Sequence, residues 1–443
     1  MIRPGVARAR AVLALGLGLL LRPIHSDAQC LPGMVQHLTY PDDCGILQQC
    51  IDDLPCNGGV VEIADDLPIL DPIQFEKGLT LRAAPGHKPL LLATLTAAPG
   101  IEDDHDGYEI RLEGLTFGAG AAISVQQTSP NPLAIEVVGN TFLSSASAIS
   151  ITPTNPGLGP ITFDVSDNAM TVSSDDYAYG IGILEEGDAN GRIANNVISI
   201  EPGGSFTGGL FYDGSATSDV DIVANRISGI GYSWGLSAYS AGSATVRIAE
   251  NLVTGQVRPD PSDDSASYAA ISLYSDGAMT AALVDNTVAG NDRGIYVYAS
   301  DQATVSGLLA NNIASGNAVS GIAVEGQTTS FLNRNNLVFG NGVDDFTPGP
   351  GTVTEDPRFA GPGDYHLGAG SPAIDAGNDG DVPGDLTTDL DGSPRIQGSH
   401  VDLGAFETVP EPTTLLSGGA TLLALHALGR RTHARTASCW RRR

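Results

Sequence analysis

Apolar and polar positions repeat along the middle of the chain in a unit of about 27 residues, a period typical of solenoid proteins. The unit is an aliphatic residue, two residues of any kind, an asparagine, one more residue and an apolar residue. Its eight asparagines are Asn140, Asn168, Asn196, Asn225, Asn251, Asn286, Asn311 and Asn335. Because so short a unit cannot bury its apolar side alone, successive units are expected to stack around one continuous core.

A second apolar element recurs between the asparagines, a glycine or alanine followed by alternating apolar positions. It begins at Gly180, Gly235, Ala270, Gly294 and Gly321. Alternation with a period of two predicts short strands, and the Gly, Ser, Asn and Asp residues between them predict turns. Amphipathic helix patterns are absent from this part of the sequence. The pattern therefore predicts an all-β solenoid with at least two strands in each repeat.

The repeats resemble the right-handed parallel β-helix of the pectate-lyase-like superfamily over residues 60–345. The resemblance implies a single β-helix whose inward Ile, Val and Leu side chains fill the core. Asparagine tolerates left-handed backbone angles and can hydrogen-bond to its copy one coil away, so the asparagines are interpreted as structural turn residues rather than catalytic ones. The resemblance specifies the fold and not the chemistry.

Residues 346–408 differ in composition from the repeats and are predicted to form a C-terminal cap. Five motifs follow one another in this segment, beginning at Asp356, Asp364, Gly370, Asp389 and Val401. Their order is similar to the C-terminal signature of the choice-of-anchor Q group of β-helix proteins, which carry various surface-sorting tails. The resemblance implies a capped β-helix that is passed to a sorting machine and held at the cell surface or in the extracellular matrix.

Residues 1–28 have the pattern of a secretory signal peptide. Arg3, Arg8 and Arg10 precede an uncharged apolar run at residues 11–21, and small residues follow at the expected cleavage site before Gln29. The run is short for a membrane span, so an uncleaved anchor is the less favoured alternative. The chain is therefore expected to be secreted across the inner membrane, and its folded part to begin near residue 29.

A mostly apolar stretch at residues 413–429 lies between two short motifs. These are Val409, Pro410, Glu411 and Pro412 before it and Arg430 and Arg431 after it. Residues 409–443 thus resemble the PEP-CTERM sorting signal, which implies processing by exosortase-type enzymes of Gram-negative bacteria. A plain hydrophobic tail is the alternative, because so short a stretch barely crosses a bilayer. The implied partners are export and sorting machinery, with transient membrane contact through this stretch.

The segment before the repeats, residues 29–59, is predicted to form a disulfide-rich N-terminal cap. Residues 44–54 have the pattern of a short amphipathic helix that closes the core, and a strand follows from Val60. An even cluster of cysteines in an exported chain indicates two disulfides, with three possible pairings left open and zinc binding as the alternative. The cysteines of this cluster are Cys30, Cys44, Cys50 and Cys56.

The body of the chain is strongly acidic. Ten of the 22 basic residues lie in the two terminal signals, but only Asp27 and Glu411 of the 51 acidic residues do, so residues 29–408 carry 49 acidic and 12 basic residues. Such a surface repels nucleic acids and anionic polymers and favours cations or neutral partners. A need for solubility explains the charge equally well.

The sequence contains no complete motif of a polysaccharide lyase or a glycosidase. A pectate lyase needs a cationic base, yet the two lysines, Lys77 and Lys88, both lie near the N-terminal end. A glycosidase needs paired carboxylates at a defined separation. Acidic pairs occur at residues 175–176, 263–264 and 344–345, but in so acidic a chain they are interpreted as solvated loops.

Five aspartates crowd a glycine-rich stretch near the C-terminus and are candidate calcium ligands. They are Asp379, Asp381, Asp385, Asp389 and Asp391. Calcium prefers hard oxygen ligands, and carboxylates at alternate positions can supply them. The stretch lacks the spacing of an EF-hand, so an acidic loop without a fixed ion is the alternative. Calcium is the one cofactor that the sequence suggests.

Alignment of the glycine-led strands brings Tyr239, Tyr274 and Tyr298 into one row. Each is the fourth residue after the leading Gly or Ala, where alternation predicts an outward side chain. Asp213 takes the same place in the coil before the row and Glu325 in the coil after it. Flat aromatic rings beside carboxylates suit a neutral sugar chain, so these five residues are the candidate glycan-binding site. Stacking of the rings on one another is the structural alternative.

Two functions follow from the sequence. The preferred hypothesis is a non-catalytic protein of the cell surface or extracellular matrix that binds neutral glycan, supported by the sorting tail, the regular coils and the missing catalytic motifs. The alternative is a polysaccharide lyase or glycoside hydrolase of the pectate-lyase-like superfamily, which rests on analogy of fold alone.

Overall fold

The computed structural model of the protein describes residues 36–54, 58–99, 107–153, 158–173, 177–202, 206–231, 233–257, 268–326, 329–343 and 347–408. Within these residues the chain forms a parallel β-helix and contains almost no α-helix. From Leu79–Ala83 to Ser320–Glu325, each coil contributes one strand to sheet 1, one to sheet 2 and one to sheet 3, in that order, and then rises to the next coil. The predicted all-β parallel β-helix is confirmed.

The three sheets have 12, 10 and 10 strands among the described residues. Sheet 1 consists of Gln36–Tyr40, Gly59–Ile63, Leu79–Ala83, Tyr108–Glu113, Leu133–Val138, Ile161–Ser166, Ala189–Ala194, Thr217–Val223, Ser243–Ala249, Ala278–Val284, Thr304–Ala310 and Thr329–Arg334. Sheet 2 consists of Leu90–Leu91, Thr116–Phe117, Thr141–Ser145, Ala169–Val172, Val197–Ile200, Arg226–Gly229, Leu252–Thr254, Thr287–Ala289, Ile313–Ser315 and Leu337–Phe339. Sheet 3 consists of Ile73–Phe75, Leu95–Ala97, Ile123–Gln127, Ser147–Pro153, Tyr177–Glu185, Phe206–Gly214, Leu236–Ser240, Ala269–Ser275, Arg293–Ala299 and Ser320–Glu325.

Alternate residues of each strand face the core, which explains the period of two in the sequence. In Ala269–Ser275 the side chains of Ile271 and Leu273 are fully buried, and the parallel register places them on Leu236 and Ala238 of the preceding coil. Burial of one such aliphatic side chain stabilises the fold by about 1.5–3 kcal/mol. Because each coil buries its apolar side against its neighbours, the core is continuous along the helix.

A ladder of buried asparagines runs along the turn between sheets 1 and 2. Each asparagine except the last donates its backbone N–H and its side-chain Nδ2 to Oδ1 of the asparagine one coil further on, at 2.8–3.1 Å. These bonds satisfy polar groups that the turn would otherwise bury unpaired. The members of the ladder are Asn140, Asn168, Asn196, Asn225, Asn251, Asn286, Asn312 and Asn336.

The predicted row of asparagines is wrong at its last two positions. Asn312 and Asn336 make the ladder bonds, whereas Asn311 and Asn335 take the preceding position, with left-handed φ angles of 58° and 50°. Asparagine is one of the few residues that suit either position. Because each of these coils has two adjacent asparagines, the spacing of apolar residues did not distinguish them.

A second polar ladder, which the sequence pattern did not reveal, runs along the turn between sheets 2 and 3 in the last coils. The backbone N–H of each member except the last donates to the side-chain Oδ1 of the next member at 2.9–3.1 Å. The glycine of the preceding coil, Gly231, leaves the space that the first side chain of the ladder occupies. The members are Gln256, Asn291, Asn317 and Asn341.

A short helix, Leu47–Asp53, packs on the N-terminal end of the core. Its Cys50 and Ile51 are buried in the same cluster as the first coils. Cys44 forms a disulfide with Cys50, with the two Cα atoms 5.5 Å apart, and so ties the loop before the helix to its buried side. The other two cysteines of the predicted cap lie outside the described residues, and they are Cys30 and Cys56.

The C-terminal segment first extends the last coil. Val353 continues sheet 2 through a parallel bridge to Leu337, and Gly349 lies directly against the backbone of Asn333, where a side chain would clash. This part of the segment covers the end of the helix, as a cap does. The remaining regular elements of the segment are the antiparallel strands Phe359–Gly361 and Asp364–Leu367 and the 3-10 turn Asp379–Asp381.

Residues 373–408, called the arm below, fold back along the side of the helix over the turn between sheets 1 and 2. Leu403 of the arm shares an apolar cluster with Ile313 of a late coil. Leu386 packs against Val223, three coils earlier in the helix. The arm therefore braces several coils at once, which the composition of the segment did not indicate.

Candidate functional site

The three tyrosines of the predicted row lie in register on the outer face of sheet 3. Tyr239 pairs with Tyr274, and Tyr274 with Tyr298, and their ring centroids are 5.4 and 5.0 Å apart. Asp213 lies one coil before the row and Glu325 one coil after it, at the same position of the strand. The structure thus brings the five residues into one column, called the tyrosine column below.

The rings of the tyrosine column stack on one another, with interplanar angles of 28° and 18°. Because neighbouring rings cover each other's faces, the column presents ring edges and hydroxyl groups to solvent, and free faces remain only at its two ends. Tyr239 Oη donates a hydrogen bond to Asp276 Oδ2 at 2.7 Å, which adds a further carboxylate beside the column. Stacked pairs contribute about 0.5–1.5 kcal/mol each, so the column also stabilises sheet 3.

Further aromatic side chains, which the sequence analysis did not single out, surround the column on the same face. Phe211 and Trp234 stack with ring centroids 5.7 Å apart. Tyr296 Oη donates to Glu325 Oε2 at 3.0 Å, and the guanidinium of Arg293 lies 5.6 Å from the centre of its ring. Phe211 and Tyr296 lie two residues before the column in their strands, a position that the alignment of the fourth residue alone did not include. Tyr296 is buried against its neighbours, with only 6% of its surface exposed. The aromatic face, as named below, comprises Phe211, Trp234, Tyr239, Tyr274, Tyr296 and Tyr298.

The raised pKa values of the tyrosines in the column favour hydrogen bonding by their phenols over proton transfer. Burial, and then the nearby Asp276, raises the pKa of Tyr274 to about 12, and burial followed by the hydrogen bond to Asp276 raises the pKa of Tyr239 as well. Both phenols are therefore neutral at physiological pH. Burial also raises the pKa of Asp213 to about 6. Neutral phenols beside carboxylates can exchange hydrogen bonds with a ligand that is rich in hydroxyl groups.

The aspartates that the sequence suggested as calcium ligands lie in the arm, and three of them bind arginines of the coils. Asp391 accepts a hydrogen bond from Arg226, and the other two are Asp381 and Asp385. Asp381 Oδ2 accepts from Arg334 Nε at 2.7 Å, and Asp385 Oδ2 accepts from Arg247 Nη2 at 2.8 Å. The hydrogen bond from Arg247 lowers the pKa of Asp385. These carboxylates therefore fasten the arm to the helix.

The two remaining calcium candidates, Asp379 and Asp389, accept hydrogen bonds from backbone N–H groups of the arm. Asp379 Oδ1 accepts from the backbone N–H of Val401 at 2.8 Å, and Asp389 Oδ1 accepts from that of Ser393 at 2.7 Å. The other oxygen of Asp391, Oδ2, lies 2.6 Å from Nε2 of His366 in the preceding hairpin. Among the residues that the structure describes, no group of three or more His, Cys, Asp or Glu side chains is arranged to hold a metal ion. The five carboxylates are thus not brought together as one calcium site.

An arginine of the arm is buried together with three carboxyl groups, a cluster called the Arg395 lock below. The guanidinium of Arg395 lies 3.0 Å from Asp285 Oδ1, 3.5 Å from Glu250 Oε1 and 3.6 Å from Glu407 Oε1. Glu250 and Asp285 precede ladder asparagines and have left-handed φ angles of 57° and 60°, so their side chains leave the coil and meet the arm.

The Arg395 lock contains more acid than base. Burial raises the pKa of Glu250 and of Glu407, each to about 8, although the positive charge of Arg395 opposes the shift. One guanidinium cannot compensate three ionised carboxyls away from water, so part of the cluster is protonated at neutral pH. The sequence analysis missed this cluster, because its members are distant in sequence and belong to no local motif.

One further carboxyl group, that of Glu185, is buried in the core without a cation. The residue is 4% exposed, and its two side-chain oxygens have no hydrogen-bond partner among the described residues. Burial raises its pKa to about 8. Because Glu185 faces the core and not the aromatic face, it is not part of the candidate binding site.

Several predicted features lie outside the described residues. No described helix has the length and apolar character that crossing a membrane requires. The undescribed features are the signal peptide at residues 1–28, the three acidic pairs at 175–176, 263–264 and 344–345, and the tail at 409–443 with its sorting residues Val409, Pro410, Glu411, Pro412, Arg430 and Arg431.

Comparison with known proteins gives one distant likeness. No protein-family model and no curated protein matches the chain. Among solved structures, the chain is similar to the crystal structure of pectate lyase Pel9A, with a TM-score of 0.43 and 11% sequence identity, over 84% of this chain and 97% of that one. So distant a likeness carries no argument about activity, and the assignment of the fold rests on the three sheets of the chain itself.

Proposed function

We propose that the protein is exported, held at the cell surface or in the extracellular matrix, and binds a neutral glycan through the aromatic face without acting on it as an enzyme. The tyrosine column, in which three phenols lie between Asp213 and Glu325, carries the proposal. Its phenols and carboxylates offer hydrogen bonds to sugar hydroxyls, whereas the acidic body of the chain opposes a polyanion.

The route to the surface is proposed from the ends of the sequence. The N-terminal signal pattern supports export, and the disulfide between Cys44 and Cys50 suits an oxidising compartment. The motifs that resemble the choice-of-anchor Q signature and the PEP-CTERM signal support sorting to the surface by exosortase-type machinery. A cell-surface binding protein is the function that these features favour together.

The test is a binding screen of the exported protein against neutral and acidic polysaccharides, with Tyr274→Ala as the variant. We expect binding to neutral glycans alone, and at least a tenfold loss of affinity in Tyr274→Ala, because the middle ring holds the column together. Thr280→Ala, an exposed position of sheet 1, is the control and should bind like the wild type. Melting temperatures separate loss of affinity from loss of stability.

Two outcomes would contradict the proposal. A wild-type protein that binds no neutral glycan would remove it, and so would a Tyr274→Ala protein that melts lower yet binds equally. The same polysaccharides are assayed for new reducing ends and unsaturated products. Formation of either product would favour the alternative, a glycoside hydrolase or a polysaccharide lyase.

A further inference from the structure

The turn between sheets 3 and 1 encloses a group of buried oxygen atoms that the aromatic face does not use. Glu185, Gly214 and Ser240 end three successive strands of sheet 3 and lie in register, one coil apart. Tyr212 lies two residues before Gly214 and is fully buried, and Ser218 is the buried second residue of the strand that follows in sheet 1. The side chains of Glu185, Tyr212, Ser218 and Ser240 are called the Glu185 cluster below.

Gly214 makes room for two hydroxyl groups of the cluster. A Cβ atom on this residue would lie 2.5 Å from Tyr212 Oη and 2.6 Å from Ser218 Oγ. Both oxygens therefore approach the same point beside the backbone, one coil further on than Glu185. The carboxyl of Glu185 is near enough to act on the phenol, since burial first and then this carboxyl raise the pKa of Tyr212. The cluster thus gathers a carboxyl and hydroxyl groups at one corner of the core.

The oxygens of the cluster are not paired with other groups of the described part of the chain. Both carboxyl oxygens of Glu185 lack a hydrogen-bond partner there, and so do Tyr212 Oη and the Oγ atoms of the two serines. Each of the four residues is at most 4% exposed, so bulk solvent does not reach these oxygens. Because buried polar groups nearly always have a partner, five such oxygens in one cluster indicate that they bind a ligand.

The chemistry of these oxygens favours a hard cation with a single charge. The cluster has one carboxyl and three hydroxyl groups, so it offers more lone pairs than protons. No positive charge is among the causes that shift the pKa of Glu185, so the described residues supply no cation to its carboxyl. Calcium takes about six to eight oxygen ligands, commonly from several carboxylates, whereas one monovalent ion neutralises a single carboxylate. The acidic chain, with 51 acidic and 22 basic residues, also attracts cations.

We propose that the Glu185 cluster binds one alkali cation, with the Glu185 carboxylate as its charged ligand and the hydroxyl groups of the cluster as its neutral ligands. Burial raises the pKa of Glu185 to about 8, so at neutral pH the cation that binds displaces one proton from this carboxyl. The site lies behind the Asp213 end of the tyrosine column, one residue further along the same strands of sheet 3. The inference goes beyond the proposed glycan binding and does not depend on it.

Thermal unfolding of the protein in sodium chloride and in choline chloride, at equal ionic strength, tests the site. Choline is too large for a buried site, so the difference between the two melting temperatures reports the binding of sodium. At about pH 9, where the Glu185 carboxyl is ionised, we expect the wild type to melt at least about 3 °C higher in sodium chloride. Glu185→Gln should lose this difference. Glu186→Gln, which removes the same charge from the exposed neighbouring residue, is the control and should keep it.

Competition with protons and the loss of one neutral ligand give two further measurements. At about pH 6 the difference between the salts should shrink by at least half, because a protonated Glu185 no longer offers a charged ligand. Tyr212→Phe keeps the carboxyl and removes one hydroxyl. It should therefore raise the sodium concentration that gives half of the temperature difference at least about threefold.

Equal melting temperatures of the wild type in the two salts at about pH 9 would overturn the proposal. A sodium effect that survives in Glu185→Gln would also overturn it, because the cation would then bind elsewhere, and so would an effect of the same size at about pH 6. If Glu185→Gln does not fold, Tyr212→Phe decides, since an unchanged half-saturating sodium concentration would show that the cluster does not hold the cation.

Discussion

Two opposite sides of the same coils differ in what their outward side chains do. At the turn between sheets 1 and 2, Glu250 and Asp285 leave the coil and are buried under the arm with Arg395. Across the core, Tyr274 and Tyr298 leave the same two coils and remain half exposed in the tyrosine column. The strands of both sides share one core and one parallel register, so the contrast comes from the outward residues alone.

The contrast shows how a β-helix divides stability and recognition between its sides. Buried charges tolerate only specific partners, because each unpaired charge away from water is costly. Phenol rings can cover each other and still offer their hydroxyls to solvent. The side with the Arg395 lock is called the locked side below, and the side with the tyrosine column is called the open side. Mutations on the locked side should therefore mainly reduce stability, and mutations on the open side should mainly reduce binding.

Replacement of Arg395 by methionine is the most severe test of the locked side. It leaves three buried carboxyl groups without their cation, and removal of one partner from a buried ion pair costs about 3–5 kcal/mol. We expect the free energy of unfolding in urea to fall by that amount. The exposed Arg192 of sheet 1 is the control, and Arg192→Ala should change it by less than about 0.5 kcal/mol. An unchanged Arg395→Met protein would show that the Arg395 lock does not hold the arm in place, and that its other ion pairs and apolar contacts are sufficient.

The carboxyl groups of the lock should also make the stability depend on pH. Burial raises the pKa of Glu250 and Glu407 from 4.5 to about 8 in the folded chain, so between these values the folded state holds protons that the unfolded state has released. Their contribution is complete below about pH 4.5 and is lost as the pH rises toward 8. Since one pKa unit corresponds to about 1.4 kcal/mol, we expect a loss of at least about 2 kcal/mol over this range.

Urea unfolding at a series of pH values measures this dependence. Glu250→Gln replaces the carboxyl group by an amide that stays neutral, so the free energy of unfolding should change less steeply with pH. Glu185→Gln separates the contribution of the carboxyl group in the core. Below about pH 4 the trend should reverse, because protonation of Asp385 weakens its bond to Arg247. A free energy of unfolding that stays constant between pH 5 and 8 would show that these carboxyls are ionised in the folded protein.

The fold was predictable because inward positions obey simple rules that a single repeat already displays. Alternation around Ile271 and Leu273 predicts a strand, and an asparagine at each corner predicts a stacked turn. The prediction failed where the rule was ambiguous, since Asn311 and Asn312 both suit a sharp turn and only the hydrogen bonds decide between them. The second polar ladder begins so late in the chain that it leaves little repetition to detect.

The roles of outward side chains were harder to predict, because their partners come from distant parts of the chain. The local spacing of five aspartates in the arm suggests either calcium ligands or an acidic loop, and it does not indicate that Asp381 and Asp385 meet arginines of the coils. Register alone placed Tyr239 and Tyr274 in one column. It did not predict that their faces stack, since ring orientation depends on the packing of neighbouring side chains.

The smallest expected effect on stability concerns the hydroxyl groups of the open side. Tyr239→Phe removes the hydrogen bond to Asp276 and leaves the stack with Tyr274 in place, so it should cost no more than about 1 kcal/mol. Because the stacked column presents hydroxyls rather than ring faces, glycan affinity should nevertheless fall severalfold. Tyr365→Phe, in the C-terminal hairpin, is the control and should bind like the wild type. Unchanged affinity in Tyr239→Phe would mean that the ring faces at the ends of the column, and not its hydroxyls, contact the sugar.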